Sequence, residues 1–198
     1  MQVYILKESN SDSRVAASPD TVKKMKDWGL NVVIQDNAGL NSNFSNEEYI
    51  KSGASISNEI TDISKSDLIL KINKPNEDEI ALMNEGSVLI ASLDPYNNSE
   101  TLNKLKDKGV TSFAMELMPR ITRAQSMDIL SSQSNLAGYK AVIDATYLFN
   151  KAMPMMMTAA GTIAPAKVMV FGAGVAGLQA IATAKRLGAI VSATDVRM

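Results

Sequence analysis

The chain has 198 residues, 20 Lys and Arg against 21 Asp and Glu, and an apolar share of 45%, which is enough to bury one large core or two modest ones and bounds it to one or two domains. Charges of both signs are interspersed along its length, so there is no basic stripe to neutralise a run of nucleic-acid phosphates. It has no Cys and no His, which removes disulfides, thiolate and imidazole metal ligands, Ser-His and Cys-His nucleophiles and any imidazole acid or base. No metal site is expected, and chemistry falls to carboxylates, lysine, tyrosine or a cofactor.

Residues 3–6 read as a buried strand. Ser18-Pro19 then places an N-cap before a first-turn proline and opens a helix to Trp28, stopped by Gly29. Residues 31–35 are the next strand and residues 37–46 a polar surface loop. Ser45 followed by Glu48 is a capping box, serine and glutamate each satisfying an orphan amide of a short helix that ends near Gly53. Strands at 68–72, 88–91 and 111–115 alternate with helices near 77–83 and 100–108. Such alternation imposes right-handed crossovers and a parallel sheet covered on both faces. An N-terminal α/β domain, flavodoxin-like or Rossmann-like, is expected over residues 1–118.

From 120 to 134 the pattern breaks into a polar segment, open to reading as a plain loop leading into a helix. Residues 135–152 predict that helix, with Leu136, Tyr139, Ala141, Val142, Ala145, Leu148 and Phe149 on one broad face, bridging two domains. Residues 119–165 are the expected connecting region. Met153, Met155, Met156 and Met157 read as adaptable packing between domains. The weakly polar run 152–175 is broken by Pro154, Gly161, Pro165 and Lys167, and the N-terminus has no basic lead, so neither a spanning helix nor a signal peptide is expected. The chain reads as soluble, without direct membrane insertion.

A strand at 166–171, a helix at 175–187 and a strand at 189–194 complete the chain. Between the first two lies Gly172-Ala173-Gly174-Val175-Ala176-Gly177, and Asp195 follows the last glycine by eighteen positions. Glycines in this spacing are weak evidence alone; between an apolar strand and an alanine-rich helix, with an acid closing the next strand, they predict a dinucleotide turn. Gly172 permits the tight turn, Gly174 lets backbone approach the pyrophosphate, and Gly177 lets helix pack on strand. The amides opening the helix at Val175 and Ala176 face the phosphates. Asp195 is placed to hold the ribose 2′-hydroxyl of NAD(H) and to repel the 2′-phosphate of NADP(H). Val196 and Arg197 flank it, and an arginine there weakens that preference. Since such a sheet has about six strands, residues 166–198 are expected to be only its first half.

The run MELMPRITRAQSMDILSSQSNLAGYKAVIDATYLFNKAMPMMMTAAG, then VFGAGVAGLQAIATAKRLGA and ATDVR, resembles the NAD(H)-binding domain of the alpha subunits of proton-translocating transhydrogenases. The opening ILKESNSDSRVAASPDTVKKM is similar to the same family, which shares its architecture with alanine dehydrogenase. The resemblance implies that Arg120, Asp128 and Ser131 orient the nicotinamide carboxamide and ring, and that Gln125 reaches toward the nicotinamide ribose and an NADP(H)-bearing partner domain. It also implies a homodimer, docking to a beta subunit that binds NADP(H), and a membrane subunit that moves protons. The chain would then be cytoplasmic, peripheral to the inner (plasma) membrane through its partners, and inactive alone.

Two alternatives stand beside this. An alanine dehydrogenase-like oxidoreductase is suggested by Arg14, which matches that family's substrate arginine, but the family's lysine and histidine fall at Asn73 and Asp94. Arg14 reads rather as pairing with a carboxylate to pin its loop. The other alternative is a truncated, non-catalytic nucleotide-binding fragment with an open strand edge.

Overall fold

The computed structural model describes residues 1–9 and 11–196. The chain divides into two compact units, Met1–Ile121 and Thr122 onward.

The first unit is a six-stranded, wholly parallel sheet. β1 (Gln2–Ile5), β2 (Asn31–Gln35), β3 (Ser55–Ser57), β4 (Leu68–Leu70), β5 (Val88–Ala91) and β6 (Thr111–Ala114) run in the order β3-β2-β1-β4-β5-β6. Successive residues of a strand face opposite sides of a sheet, and β1 obeys this with apolar residues in both directions. Val3 and Ile5 enter one core with Val32, Ile34 and Tyr49, while Tyr4 and Leu6 enter the other with Ile69, Leu89 and Leu105. A strand buried on both faces reads as a continuous apolar run, as residues 3–6 do.

The layers are helical. α1 (Pro19–Asp27) starts where Ser18 Oγ accepts from the Thr21 amide at 3.3 Å. α2 (Asn46–Lys51) carries the expected capping box, with Ser45 Oγ accepting from Glu48 N–H and Glu48 Oε2 from Ser45 N–H. α3 (Glu77–Leu82) has a second box built on Asn76 and Glu79. α4 (Ser99–Asp107) precedes the edge strand β6. The strand β3 is not foreseen by the sequence pattern. Its residues, Ser-Ile-Ser, have neither length nor apolar density, and it sits at the sheet edge where pairing to β2 alone defines it.

The second unit holds α5 (Ile129–Leu148), an antiparallel hairpin of β7 (Met156–Thr158) and β8 (Gly161–Ile163), and the parallel pair β9 (Lys167–Phe171) and β10 (Ile190–Thr194) joined through α6 (Val175–Arg186). Three expectations need correction. The helix begins at Ile129, not 135, because Asp128 caps it; Ser, Gln and Asn in its first turns disguise the start. Its expected apolar face is largely open: Leu136, Tyr139, Leu148 and Phe149 are exposed, while Gly138 and Val142 are its buried residues. Of the methionine cluster, Met153 is buried, but Met155, Met156 and Met157 are exposed at the hairpin rather than packed.

Candidate functional site

The glycine turn is built by backbone geometry. Gly172 follows β9 at φ +94°, in the left-handed region, and its N–H donates to the Thr194 carbonyl of β10 at 2.7 Å. Gly174 is the extended N-cap of α6 and contributes no side chain; the first intrahelical bond runs from Leu178 N–H to the Gly174 carbonyl at 2.8 Å. The amides of Val175, Ala176 and Gly177 therefore open the positive end of a twelve-residue helix that no side chain caps. A Cβ on Gly177 would overlap the Gly172 carbonyl oxygen, so only glycine lets the helix start this close to the turn. A small, uncapped cradle of backbone donors fits a pyrophosphate.

Asp195 follows β10, and its Oδ2 accepts from the Ala173 N–H at 2.6 Å, which brings the acid against the turn 22 residues earlier. Val196 is exposed. Arg197 lies outside the described residues.

The other expected site residues divide between the units. Asp128 and Ser131 are brought together at the start of α5: Asp128 Oδ1 accepts from Ser131 N–H at 2.9 Å, and Ser131 Oγ donates to Asp128 Oδ2 at 2.7 Å. Gln125 is exposed in a short 3-10 segment, Thr122–Met127, just ahead. Arg120 is exposed near the end of the first unit. Farther along α5, Gly138 lies so close to the Ala176 carbonyl that a Cβ would overlap it, which ties α5 to the opening turn of α6. Ser131 and Gly138 are about 10 Å apart along the helix axis at the usual rise.

In the first unit the structure adds a polar cluster beyond the carboxyl ends of β1 and β4 that sequence reasoning misses. Glu8, buried at 5% exposure, accepts from the amides of Ile72 (2.6 Å) and Asn73 (3.3 Å) and from Asn73 Nδ2 (2.9 Å). Asn73 Nδ2 also donates to Asp12 Oδ2 at 2.8 Å. Arg14 grips Asp12 with two nitrogens, Nε to Oδ1 at 2.9 Å and Nη2 to Oδ2 at 2.6 Å. The guanidinium holds the Asp12 carboxyl far below the usual carboxylate range, and the aspartate raises the arginine in turn. Arg14 thus pairs with a carboxylate inside its own loop. Asp94, at φ +45°, accepts from Asn97 Nδ2 at 3.0 Å. Nearby, Lys71 and Glu79 form a buried ion pair, Lys71 Nζ lying 2.6 Å from both carboxylate oxygens. The Asp12–Arg14 spacing is the one signal for this cluster in the sequence, and it is a weak one.

A βαβ unit with an uncapped glycine turn closed by an acid, accompanying a parallel-sheet unit, defines a Rossmann-like protein of the dinucleotide-binding class. Residues 4–137 match the family described as alanine dehydrogenase/PNT, N-terminal domain, and residues 141–198 match its C-terminal domain. The chain belongs to the alanine dehydrogenase/PNT family. It is 51% identical to an NAD(P) transhydrogenase alpha-subunit chain of Rhodospirillum rubrum, over 100% of this chain and 53% of that protein. It superposes on a crystal structure of transhydrogenase from Sinorhizobium meliloti with a TM-score of 0.96 and 56% identity, covering 100% of this chain and 59% of that one. Alanine dehydrogenase of Staphylococcus saprophyticus is 30% identical over 99% of this chain and 53% of its own length. The chain thus spans about half the length of the curated relatives it matches. Among the described residues, no helix is long and apolar enough to cross a membrane.

Proposed function

We propose that this chain is the NAD(H)-binding portion of a proton-translocating transhydrogenase, which passes hydride directly between NAD(H) and NADP(H) held on a beta-subunit domain. The observation that carries the reading is the uncapped turn at Gly172–Gly177 with Asp195 against it, in a chain 51% identical to a transhydrogenase alpha subunit. When bound, NADH supplies the hydride from C4 of its ring. Everything else asked of the protein is orientation, which suits a chain without histidine, since aligned hydride transfer needs no protein acid or base.

The backbone donors of Val175, Ala176 and Gly177 hold the pyrophosphate. Asp195 leaves the Ala173 amide to accept from the adenosine ribose hydroxyls, and its charge excludes a 2′-phosphate. Asp128 and Ser131 orient the carboxamide and ring, a role proposed for Arg120 as well, while Gln125 reaches toward the nicotinamide ribose and the NADP(H)-bearing domain; the α5–α6 contact at Gly138 keeps that helix start at a fixed offset from the turn. The functional assembly is a homodimer with beta and membrane partners that couple transfer to proton movement.

Calorimetry with NADH and NADPH tests the nucleotide step: the chain binds NADH more tightly, and Asp195→Ser narrows the difference. Equal affinity for the two nucleotides overturns the assignment. Mixed with the NADP(H)-binding domain of a transhydrogenase beta subunit, the chain transfers hydride from NADH. Consumption of NADH with pyruvate and ammonia alone instead makes it an amino-acid dehydrogenase. The Asp12 carboxylate already in the grip of Arg14 speaks against that outcome.

A further inference from the structure

A strand that leaves its sheet early takes backbone acceptors away from its neighbour. β5 and β6 pair in register only as far as Ala91 and Ala114. Beyond them the chain after β6 bends into a single 3-10 turn, Met115–Leu117. Leu93, just past the end of β5, is buried at 1% exposure, where an unpaired amide is costly. The acceptor it finds is a side chain: Glu116 Oε1 accepts from the Leu93 N–H at 2.8 Å and from the Asp94 N–H as well.

We infer that Glu116 is a positioning residue, whose carboxylate fastens the exit of β6 to the turn after β5 and thereby fixes where Arg120 stands. Three observations carry this. The turn after β5 is built without Glu116 and serves as a fixed post: Asn98 Nδ2 donates to the Leu93 and Asp94 carbonyls at 3.2 and 3.0 Å, and Asn97 Nδ2 to Asp94 Oδ1 at 3.0 Å. Among the described residues, Glu116 is the last one ahead of Arg120 whose hydrogen bonds reach another element. Residues 117–121 bond only locally, Met118 N–H to the Met115 carbonyl at 3.2 Å and Ile121 N–H to the Pro119 carbonyl at 2.9 Å. The span from anchor to arginine is also short and stiff, because Pro119 fixes the backbone step immediately before Arg120.

Both anchoring bonds run through one oxygen. Glu116 Oε2 is shut off from solvent and meets no donor among the described residues, so the anchor needs an oxygen at that reach rather than a charge. A glutamine carbonyl has the same reach and two lone pairs. An aspartate keeps the charge but falls one methylene short, and an alanine leaves the Leu93 amide bare inside the protein. Only the effect on hydride transfer rests on the role proposed for Arg120; the anchoring itself does not.

The test compares Glu116→Ala, Glu116→Asp and Glu116→Gln in the full chain, with folding checked by circular dichroism. Tryptic cleavage is followed by mass spectrometry after Arg120 and, as the control, after the exposed Lys51 beside the opposite sheet edge. Cleavage after Arg120 accelerates about threefold or more in the alanine and aspartate variants, with Lys51 unaffected, and stays at the wild-type rate in Glu116→Gln. Mixed with the NADP(H)-binding domain of a transhydrogenase beta subunit, the alanine and aspartate variants keep their NADH affinity by calorimetry. Their kcat for hydride transfer falls about tenfold or more, glutamine restores it, and Glu116→Ala lowers kcat no further in an Arg120→Ala background. Should the alanine variant fail to fold, Glu116→Asp carries the test. Unchanged cleavage after Arg120 in the folded variants overturns the inference, and so does a defect in Glu116→Gln that Glu116→Asp lacks. Faster cleavage with undiminished transfer upholds the anchor and overturns instead the role proposed for Arg120.

Discussion

Gly138 of α5 lies against the Ala176 carbonyl of α6, with no room between them for a methyl group. This contact joins the helix capped by Asp128 to the turn that opens α6. In Gly138→Ala two effects oppose: alanine favours a helix interior by about 1 kcal/mol, and overpacking costs about 1–3 kcal/mol. Here the obstruction is backbone, which cannot rotate away, so packing wins. Thermal unfolding is expected to fall by a few degrees, at about 2–4 °C per kcal/mol for a chain of this size. An unchanged or raised midpoint would show that the helices slide apart at no cost.

Asp128 has a structural task, capping α5, beside the one proposed for it, and two substitutions separate them. Asparagine caps helices about as well as aspartate, whereas alanine costs about 0.5–2 kcal/mol. Asp128→Asn keeps the wild-type denaturation midpoint while hydride transfer in the reconstituted assembly falls; Asp128→Ala loses both. Full activity in Asp128→Asn would reduce the residue to a cap.

The buried Lys71–Glu79 pair invites a double-mutant cycle. Removing one partner leaves an uncompensated interior charge, which costs about 3–5 kcal/mol, whereas removing both is often near neutral. Lys71→Met is therefore strongly destabilising in urea, and adding Glu79→Gln restores most of the loss. The glutamine keeps an acceptor for the Asn76 amide that Glu79 now caps at 2.8 Å. Additive losses would mean that the two side chains do not rely on each other.

Acid should weaken the Asp12–Arg14 loop. The folded-state pKa of Asp12 lies below its unfolded value, so its contribution is complete above the ordinary aspartate value of about 3.9 and is lost as pH falls from there toward the folded value. Arg14 is partly exposed, so screening keeps this contribution modest. Amide exchange in residues 11–17 should accelerate below about pH 4 in wild type and show no such step in Asp12→Asn.

Much of this can be read from residue order because it rests on local rules. Ser18-Pro19 and the Ser45–Glu48 box set helix starts by bonds within four residues, and the apolar run at residues 3–6 suits only a strand buried on both faces. Gly172 and Gly177 mark the turn, the first by its left-handed φ and the second because a Cβ there would overlap the Gly172 carbonyl. What escapes depends on partners distant in sequence. Ser55–Ser57 becomes a strand only because β2 offers it a ladder. Asn73 finds Asp12 only after β4 has docked beside β1. The start of α5 is obscured for a different reason: Asp128 and Ser131 suggest chemistry by their side chains, while their i, i+3 spacing is also a cap.

The central place of β1 has a bearing on how the chain is made. β1 leaves the ribosome before either of its partners, pairing on one side with β2 and on the other with β4, where Val3 meets Leu68 across 65 residues. At synthesis rates of roughly 5–20 residues per second, its second edge waits about 3–13 s for a partner. During that interval Val3, Tyr4, Ile5 and Leu6, all wholly buried in the finished sheet, form an uncovered sticky segment of the nascent chain. The strand that anchors the finished sheet is thus its most vulnerable part during synthesis.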